Sequence, residues 1–188
     1  MKILLLCGPP RCGKDTIGGM LQTLLPGLPM LMKFAQPIIE FMLRNYGINM
    51  ALVEKDVPHP RLHGRTPRQV AIAYSERFCK PLFGIDYFGR EALSEITRMA
   101  KNGANTFVFT DSGFRVEAEP LLEAFGPQSI RLVHISRKGT SFEGDSRSHW
   151  SHPNIGEILF ENAGDTISSL HADLISGLLP QLQPWLLS

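Results

Sequence analysis

Short, unbroken apolar runs alternate along the chain with longer stretches whose apolar residues recur at helical spacing. Residues 2–7 (K-I-L-L-L-C) form such a run, the pattern of a strand buried on both faces of a parallel sheet. A glycine-rich turn follows, then a helix predicted from Asp15 to about Leu25 and ended by Pro26-Gly27. Residues 30–34 (M-L-M-K-F) suit a short second strand. Pro37 falls at a helix start, and Ile38, Ile39, Phe41 and Met42 carry that helix to about Tyr46, with Gly47 closing it. Residues 51–65, with prolines, histidines and scattered charges, read as a mobile loop. Thr66-Pro67-Arg68-Gln69 reads as an N-cap followed by proline at the first helical position, starting a helix to about Lys80. A further helix is expected at 85–101, a strand at 105–110, a helix at 116–125 and a strand at 129–135. Residues 136–154 are polar and do not look like core. A last strand at 157–160 and a helix at 166–179 complete the pattern. Strands alternating with helices predict an α/β fold: helices flanking a mostly parallel central sheet in three layers.

Length and composition narrow this picture. The 188 residues suit one domain with a proper core, and 43% hydrophobic with 20% charged residues is ordinary globular composition. A net charge of +1 gives no sign of a sequence-independent grip on nucleic acid, which needs excess Lys and Arg. Three cysteines with no C-x-x-C argue against a disulfide framework or a zinc site and fit reduced thiols in the cytoplasm. The opening M-K-I-L-L-L-C is too short an apolar run for a signal peptide, and no run reaches the ~18 residues of a membrane span. The pairs His59/His63 and His149/His152 have ligand-like spacing, but without clustered Cys or acid partners they are not read as a metal site. The sequence leaves the oligomeric state open, a homodimer included.

The chemistry concentrates in C-G-P-P-R-C-G-K-D-T at 7–16. Gly8, Gly13 and Lys14 match the phosphate-binding loop G-x-x-x-x-G-K, in its required place between a buried strand and a helix. The glycines let backbone N–H groups converge on phosphate oxygens, the helix start adds partial positive charge, and Lys14 adds a full one. Gly8, Pro10, Arg11, Cys12, Gly13, Lys14, Asp15 and Thr16 are therefore the expected ATP-binding residues. The hydroxyl that ligates magnesium usually follows the lysine directly; here Asp15 intervenes and Thr16 comes one place late. Thr16 is the expected Mg2+ ligand. Asp15 either holds a water of the magnesium shell or favours the helix start. Cys12 is read as a small side chain in the loop, or as a thiol whose pKa the helix start lowers.

The chain resembles the deoxynucleoside monophosphate kinases of tailed bacteriophages, through this loop and four further blocks in matching order: K-F-A-Q-P-I at 33–38, T-P-R-Q at 66–69 with I-D-Y-F at 85–88, T-D-S-G-F-R-V-E-A-E at 110–119, and H-I-S-R-K-G at 134–139. The resemblance implies a phosphate-loop kinase fold in one domain, with an acceptor-binding insertion at about 35–90 and a lid at about 136–154. It implies ATP and Mg2+ as cofactors, small nucleotides as substrates, and the host cytoplasm as the setting. Phosphoryl transfer needs two charged phosphates held in line, and arginine forks suit the acceptor phosphate. Arg68 and Arg115 are the candidates, against a reading as surface arginines. Arg137 and Arg147, in the expected lid, would close over the transferring group as catalytic cations. Asp111, at a strand's carboxyl end, would hold magnesium through water, orient an arginine, or cap the next helix. Phe34 and Tyr87 would stack on a base or pack in the core, and Asp86 would read a base edge or pair with an arginine. A monophosphate oxygen is already anionic, so no general base is required. The alternatives are a kinase resembling dephospho-coenzyme-A kinase, with Asp111 as base towards an alcohol; a nucleotide-hydrolysing regulatory or DNA-handling protein; and a loop-bearing interaction module without catalysis.

Overall fold

The computed structural model describes residues 1–188. Five strands, β1 (Lys2–Cys7), β2 (Met30–Met32), β3 (Thr106–Phe109), β4 (Ile130–Ser136) and β5 (Gly156–Glu161), form one sheet in the order β2-β3-β1-β4-β5. Every adjacent pair is parallel. The α/β fold with a fully parallel central sheet is thus as the pattern predicts.

Alternation within β1 builds the two layers. Ile3, Leu5 and Cys7 face one core with Phe107, Phe109 and Leu132; Leu4 and Leu6 face the other with Val108, Val133 and Ile135. The first core is covered by α5 (Tyr87–Ala100) and α6 (Arg115–Phe125), through Phe88, Ala92, Ile96, Ala118 and Leu121. The second is covered by α1 (Lys14–Leu24), through Ile17 and Leu21, and by the C-terminal helical stretch. Both faces of β1 are buried, which is why its sequence reads as a continuous apolar run. No helix is long and apolar enough to cross a membrane.

The element between β2 and α5 departs from expectation in two ways. After α2 (Gln36–Tyr46), residues 51–65 are tied down rather than free: Met50 and Leu62 join Met42 and Ile48 in a small separate core. Arg61 also donates to the carbonyls of Tyr46 and Gly47, at 3.2 and 3.0 Å. Next, α3 (Pro67–Tyr74) begins with the expected Thr66 cap, here a full capping box with Gln69. It runs through a π-helical turn, Ser75–Cys79, into α4 (Lys80–Phe83). The C-terminal stretch repeats this device: α7 (Ile167–Asp173), a π turn Leu174–Leu178, then α8 (Leu179–Leu187). In both cases a proline, Pro81 or Pro180, stands two residues after the π turn. Proline offers no N–H to the preceding turn, and the wider turn lets the helix continue past it.

The polar segment 136–154, with Ile155 just beyond it, is not wholly outside the core, contrary to the sequence reading. Trp150 and Ile155 are buried in the first core, and the Trp150 indole N–H donates to the Ser112 carbonyl at 3.4 Å. A single large aromatic anchors an otherwise polar stretch, and averaging over the segment hides it.

Candidate active site at the carboxyl ends of the strands

The carboxyl ends of all five strands deliver candidate groups to one edge of the sheet: Gly8 after β1, Lys33 after β2, Thr110 and Asp111 after β3, Arg137 after β4 and Asn162 after β5. Ligands of open parallel sheets bind at this edge.

The turn 8–13 curls tightly. Arg11 and Gly13 both have left-handed backbones, at φ 66° and 98°. Gly8 cannot carry a Cβ, which would run into the Ile135 carbonyl, and a Cβ at Gly13 would sit 2.7 Å from the Asn162 amide nitrogen. α1 starts at Lys14, so the first-turn N–H groups have no intrahelical acceptor and stand ready for an anion. The Lys14 ammonium is folded inward, donating to the carbonyls of Gly8 and Pro9, each at 2.7 Å. Cys12 is fully buried beside it, its Sγ 3.6 Å from Lys14 Nζ, so it is a small packing residue and not an exposed thiol.

Asn162 is a loop-positioning residue that the sequence reading missed. Its side-chain amide donates to the Cys12 carbonyl at 2.9 Å, and its buried Oδ1 has no protein partner. Nothing in local sequence ties a residue after β5 to a turn 150 positions earlier.

Asp15 and Thr16 serve different sides of β1. Asp15 accepts from Thr110 Oγ1 at 2.7 Å and pairs with Lys33 at 2.7 Å, towards β2 and β3. Partial burial raises its pKa, but Lys33 and Thr110 outweigh that and hold it below the ordinary value. Thr16 instead lines a pocket of about 120 Å³ with Gly13, Arg137, Asn162, Asp165 and Ile167, towards β4 and β5. Asp15 thus faces Lys33 and Thr110, whereas Thr16 faces the pocket that holds Arg137 and Asp165.

Each other expected residue has a definite place. Asp111 spends both carboxylate oxygens on backbone: Oδ1 accepts from Phe34 N at 2.9 Å and Oδ2 from Ala35 N at 3.0 Å. It clamps the end of β3 to the chain leaving β2, and desolvation pushes its pKa up. Phe34 is in the core, stacked on Phe109 with ring centroids 4.4 Å apart, and cannot stack on a base. Tyr87 is half-buried against Phe83 and Phe88. Asp86 pairs with Arg90 one turn along α5, as the arginine-pairing alternative has it. Arg115 pairs with Glu119 on the exposed side of α6 at 2.7 Å. It is Glu117 that turns inward. Its pKa is pushed well above the ordinary range, by burial first and by the charge of Asp111 second.

The cations of the cleft come from distant segments. Arg68 forks onto Asp56 at 2.5 and 3.2 Å, and Arg147 onto Asp145 at 2.8 and 2.6 Å. Burial and then the positive charge of Lys33 lower the pKa of Lys55, with Arg68 and Arg147 adding to the effect and Asp15 opposing it. Lys33 reaches Asp15, and the Arg68 backbone N–H donates to the Lys55 carbonyl at 2.9 Å. Arg147 also lies against Gly113, where a Cβ would collide with its methylenes. Arg137 stands apart from this group, on the pocket side with Thr16.

No protein-family model and no curated protein matches the chain. Among solved structures it is similar to an unliganded sugar kinase from Janibacter sp. HTCC2649, at 14% identity and TM-score 0.52, covering 95% of this chain and 94% of that one. It is also similar to the dephospho-CoA kinase of Campylobacter jejuni, at 12% identity and TM-score 0.50, covering 98% and 99%. At such identities the likeness establishes a shared fold and no more, over nearly the full length of both chains.

Proposed function

We propose that the chain is an ATP- and Mg2+-dependent kinase that phosphorylates a nucleoside monophosphate, a deoxynucleotide in particular, to the diphosphate in the cytoplasm. The observation that carries this reading is the second cation set. Beyond the glycine loop, Arg68 and Arg147 present two guanidinium forks, now closed on the carboxylates of Asp56 and Asp145, of the kind that holds an acceptor phosphate, with Lys33 and Lys55 near them. The kinase fold shared with the two solved structures supports phosphoryl transfer to a small molecule. The resemblance of the motif blocks to bacteriophage deoxynucleoside monophosphate kinases supports the nucleotide.

The residues present fit the cofactors. The left-handed turn, the free N–H groups of the first turn of α1, and Lys14 suit a triphosphate. Asp15, backed by Thr110, suits the hydrated shell of magnesium better than Thr16 does. When bound, ATP with Mg2+ supplies the transferable phosphoryl group. Lys14 would leave its two carbonyl acceptors and turn to the β- and γ-phosphates. Thr16 and Arg137 would hold the nucleoside side of the donor in the pocket they line. Arg68 and Arg147 would exchange Asp56 and Asp145 for the acceptor phosphate. Asp111, with both oxygens holding backbone, acts as a positioning residue and not as a base, which weighs against an alcohol acceptor.

The test is ADP release from ATP and Mg2+ with each of the four deoxynucleoside and four ribonucleoside monophosphates, with dephospho-CoA and simple sugars in parallel. Release is expected only with particular monophosphates, falling about 10²-fold or more in Lys14→Ala. Release that needs no acceptor would make the protein a hydrolase, and release with dephospho-CoA alone would move the acceptor assignment to an alcohol.

A further inference from the structure

Three metal-binding side chains converge at the foot of the glycine loop, from three separate segments. Cys7 ends β1, His134 is its registered neighbour on β4, and His149 belongs to the polar segment beyond. Their ligand atoms all lie within 4.8 Å of one another. His134 Nδ1 is 3.1 Å from His149 Nδ1, and Cys7 Sγ is 3.8 Å from His149 Nδ1. A tetrahedral zinc ion with Zn–S about 2.3 Å and Zn–N about 2.0–2.1 Å has edges of roughly 3.3 Å between nitrogens and roughly 3.6 Å between sulfur and nitrogen. The two edges that meet at His149 are close to these values, and the third, between Cys7 and His134, lies within 4.8 Å.

The outer shell fixes the histidine for this role. His134 Nε2 is 3.0 Å from Glu157 Oε2, and Glu157 Oε1 accepts from the backbone N–H of His152 at 3.2 Å. With Nε2 turned to the carboxylate, Nδ1 is the ring nitrogen that faces the cluster. This carboxylate–histidine pairing is what metal-ligating histidines show. Trp150, buried next in sequence, holds exposed His149 over the site.

From this geometry we propose that Cys7, His134 and His149 form a binding site for one Zn2+-like divalent ion, with water in the fourth position. On binding, the Cys7 thiol loses its proton to solvent, a sulfur–metal bond forms, and no electron is transferred. The ion would staple the segment around Arg147 and Trp150 to β1 and β4, so the site is structural towards the loop next to it. This does not depend on the identity of the acceptor. The His149/His152 spacing in the sequence pairs the wrong two residues: His152 contributes only backbone, and the partners of His149 come from β1 and β4.

The test uses the full chain after treatment with chelator, titrated with Co2+ and then Zn2+. One Co2+ per chain is expected, with a near-ultraviolet thiolate-to-cobalt charge-transfer band that Zn2+ abolishes, and with release of one proton. His149→Ala, at an exposed position, should keep its circular dichroism spectrum and lose the band. Glu157→Gln should keep the band at about 10- to 100-fold weaker affinity. His152→Ala should bind as the parent does. Absence of the charge-transfer band in the parent chain, or its persistence in His149→Ala, would overturn the site and leave a plain hydrogen bond between the two imidazoles.

Discussion

Glu117 shows how one side chain reports on the cleft. It sits in the first turn of α6, buried, with Asp111 as its strongest source of negative charge and Lys80 and Arg147 opposing it. Burial penalises its charged form, so its folded-state pKa lies well above the ordinary 4.5. Between those two values the unfolded chain has released the proton and the folded chain has kept it. Stability therefore falls as pH rises through that window. Glu117→Gln removes the penalty. The variant is expected to melt at nearly the parent's temperature at pH 4.5 and above it at pH 8, the gap growing with pH; a constant gap across that range would show that the carboxyl is not held protonated. The sequence placed Arg115 in the cleft and left Glu117 open. The two lie two positions apart on a helix, about 200° around the axis, so once the helix phase is set one faces inward as the other faces out. That phase depends on which side of α6 meets α5, a contact no local pattern reveals.

Among the elements, α5 and α6 approach closely at Gly89. A Cβ at Gly89 would collide with the backbone carbonyl of Glu117, which cannot rotate away as a side chain could. Gly89→Ala is expected to destabilise by about 1–3 kcal/mol despite the better helix propensity of alanine, as overpacking does, and denaturant unfolding would measure it. An unchanged midpoint would mean that the two helices separate without cost. The same contrast explains what the sequence made legible. β1, β3 and β4 are buried on both faces and announce themselves as apolar runs; α3 carries its own cap, Thr66 and Gln69, in the four residues that start it. The glycine loop is likewise local, each residue acting on its neighbours. Asn162, Trp150 and the turn of Asp15 towards Lys33 were not legible, because their partners, Cys12, Ser112 and the end of β2, are far away in sequence. The π turns were missed for another reason: proline reads as a stop, and here the helix widens by one residue and goes on.

For the molecule as a whole, the segment after β4 is docked on the sheet through Trp150, buried in the first core. Its anchor can be read directly, since the chain has only two tryptophans and the other, Trp185, lies in the opposite core. In a Trp185→Phe chain, Trp150 emission is expected to be blue-shifted and poorly quenched by acrylamide before any nucleotide is added; strong quenching would mean that the segment rests undocked. The cleft beneath it has a property of its own. Lys33 has Asp15, Arg68 has Asp56, and Arg147 has Asp145. Such a surface works like an ion-exchange resin already loaded with its counter-ions. A stray inorganic phosphate gains little by displacing a tethered carboxylate, whereas a ligand that engages several cations at once displaces several carboxylates for one loss of translational freedom. If the proposed function holds, the paired carboxylates would act as a threshold, turning away small anions that meet one cation and favouring those large enough to span several.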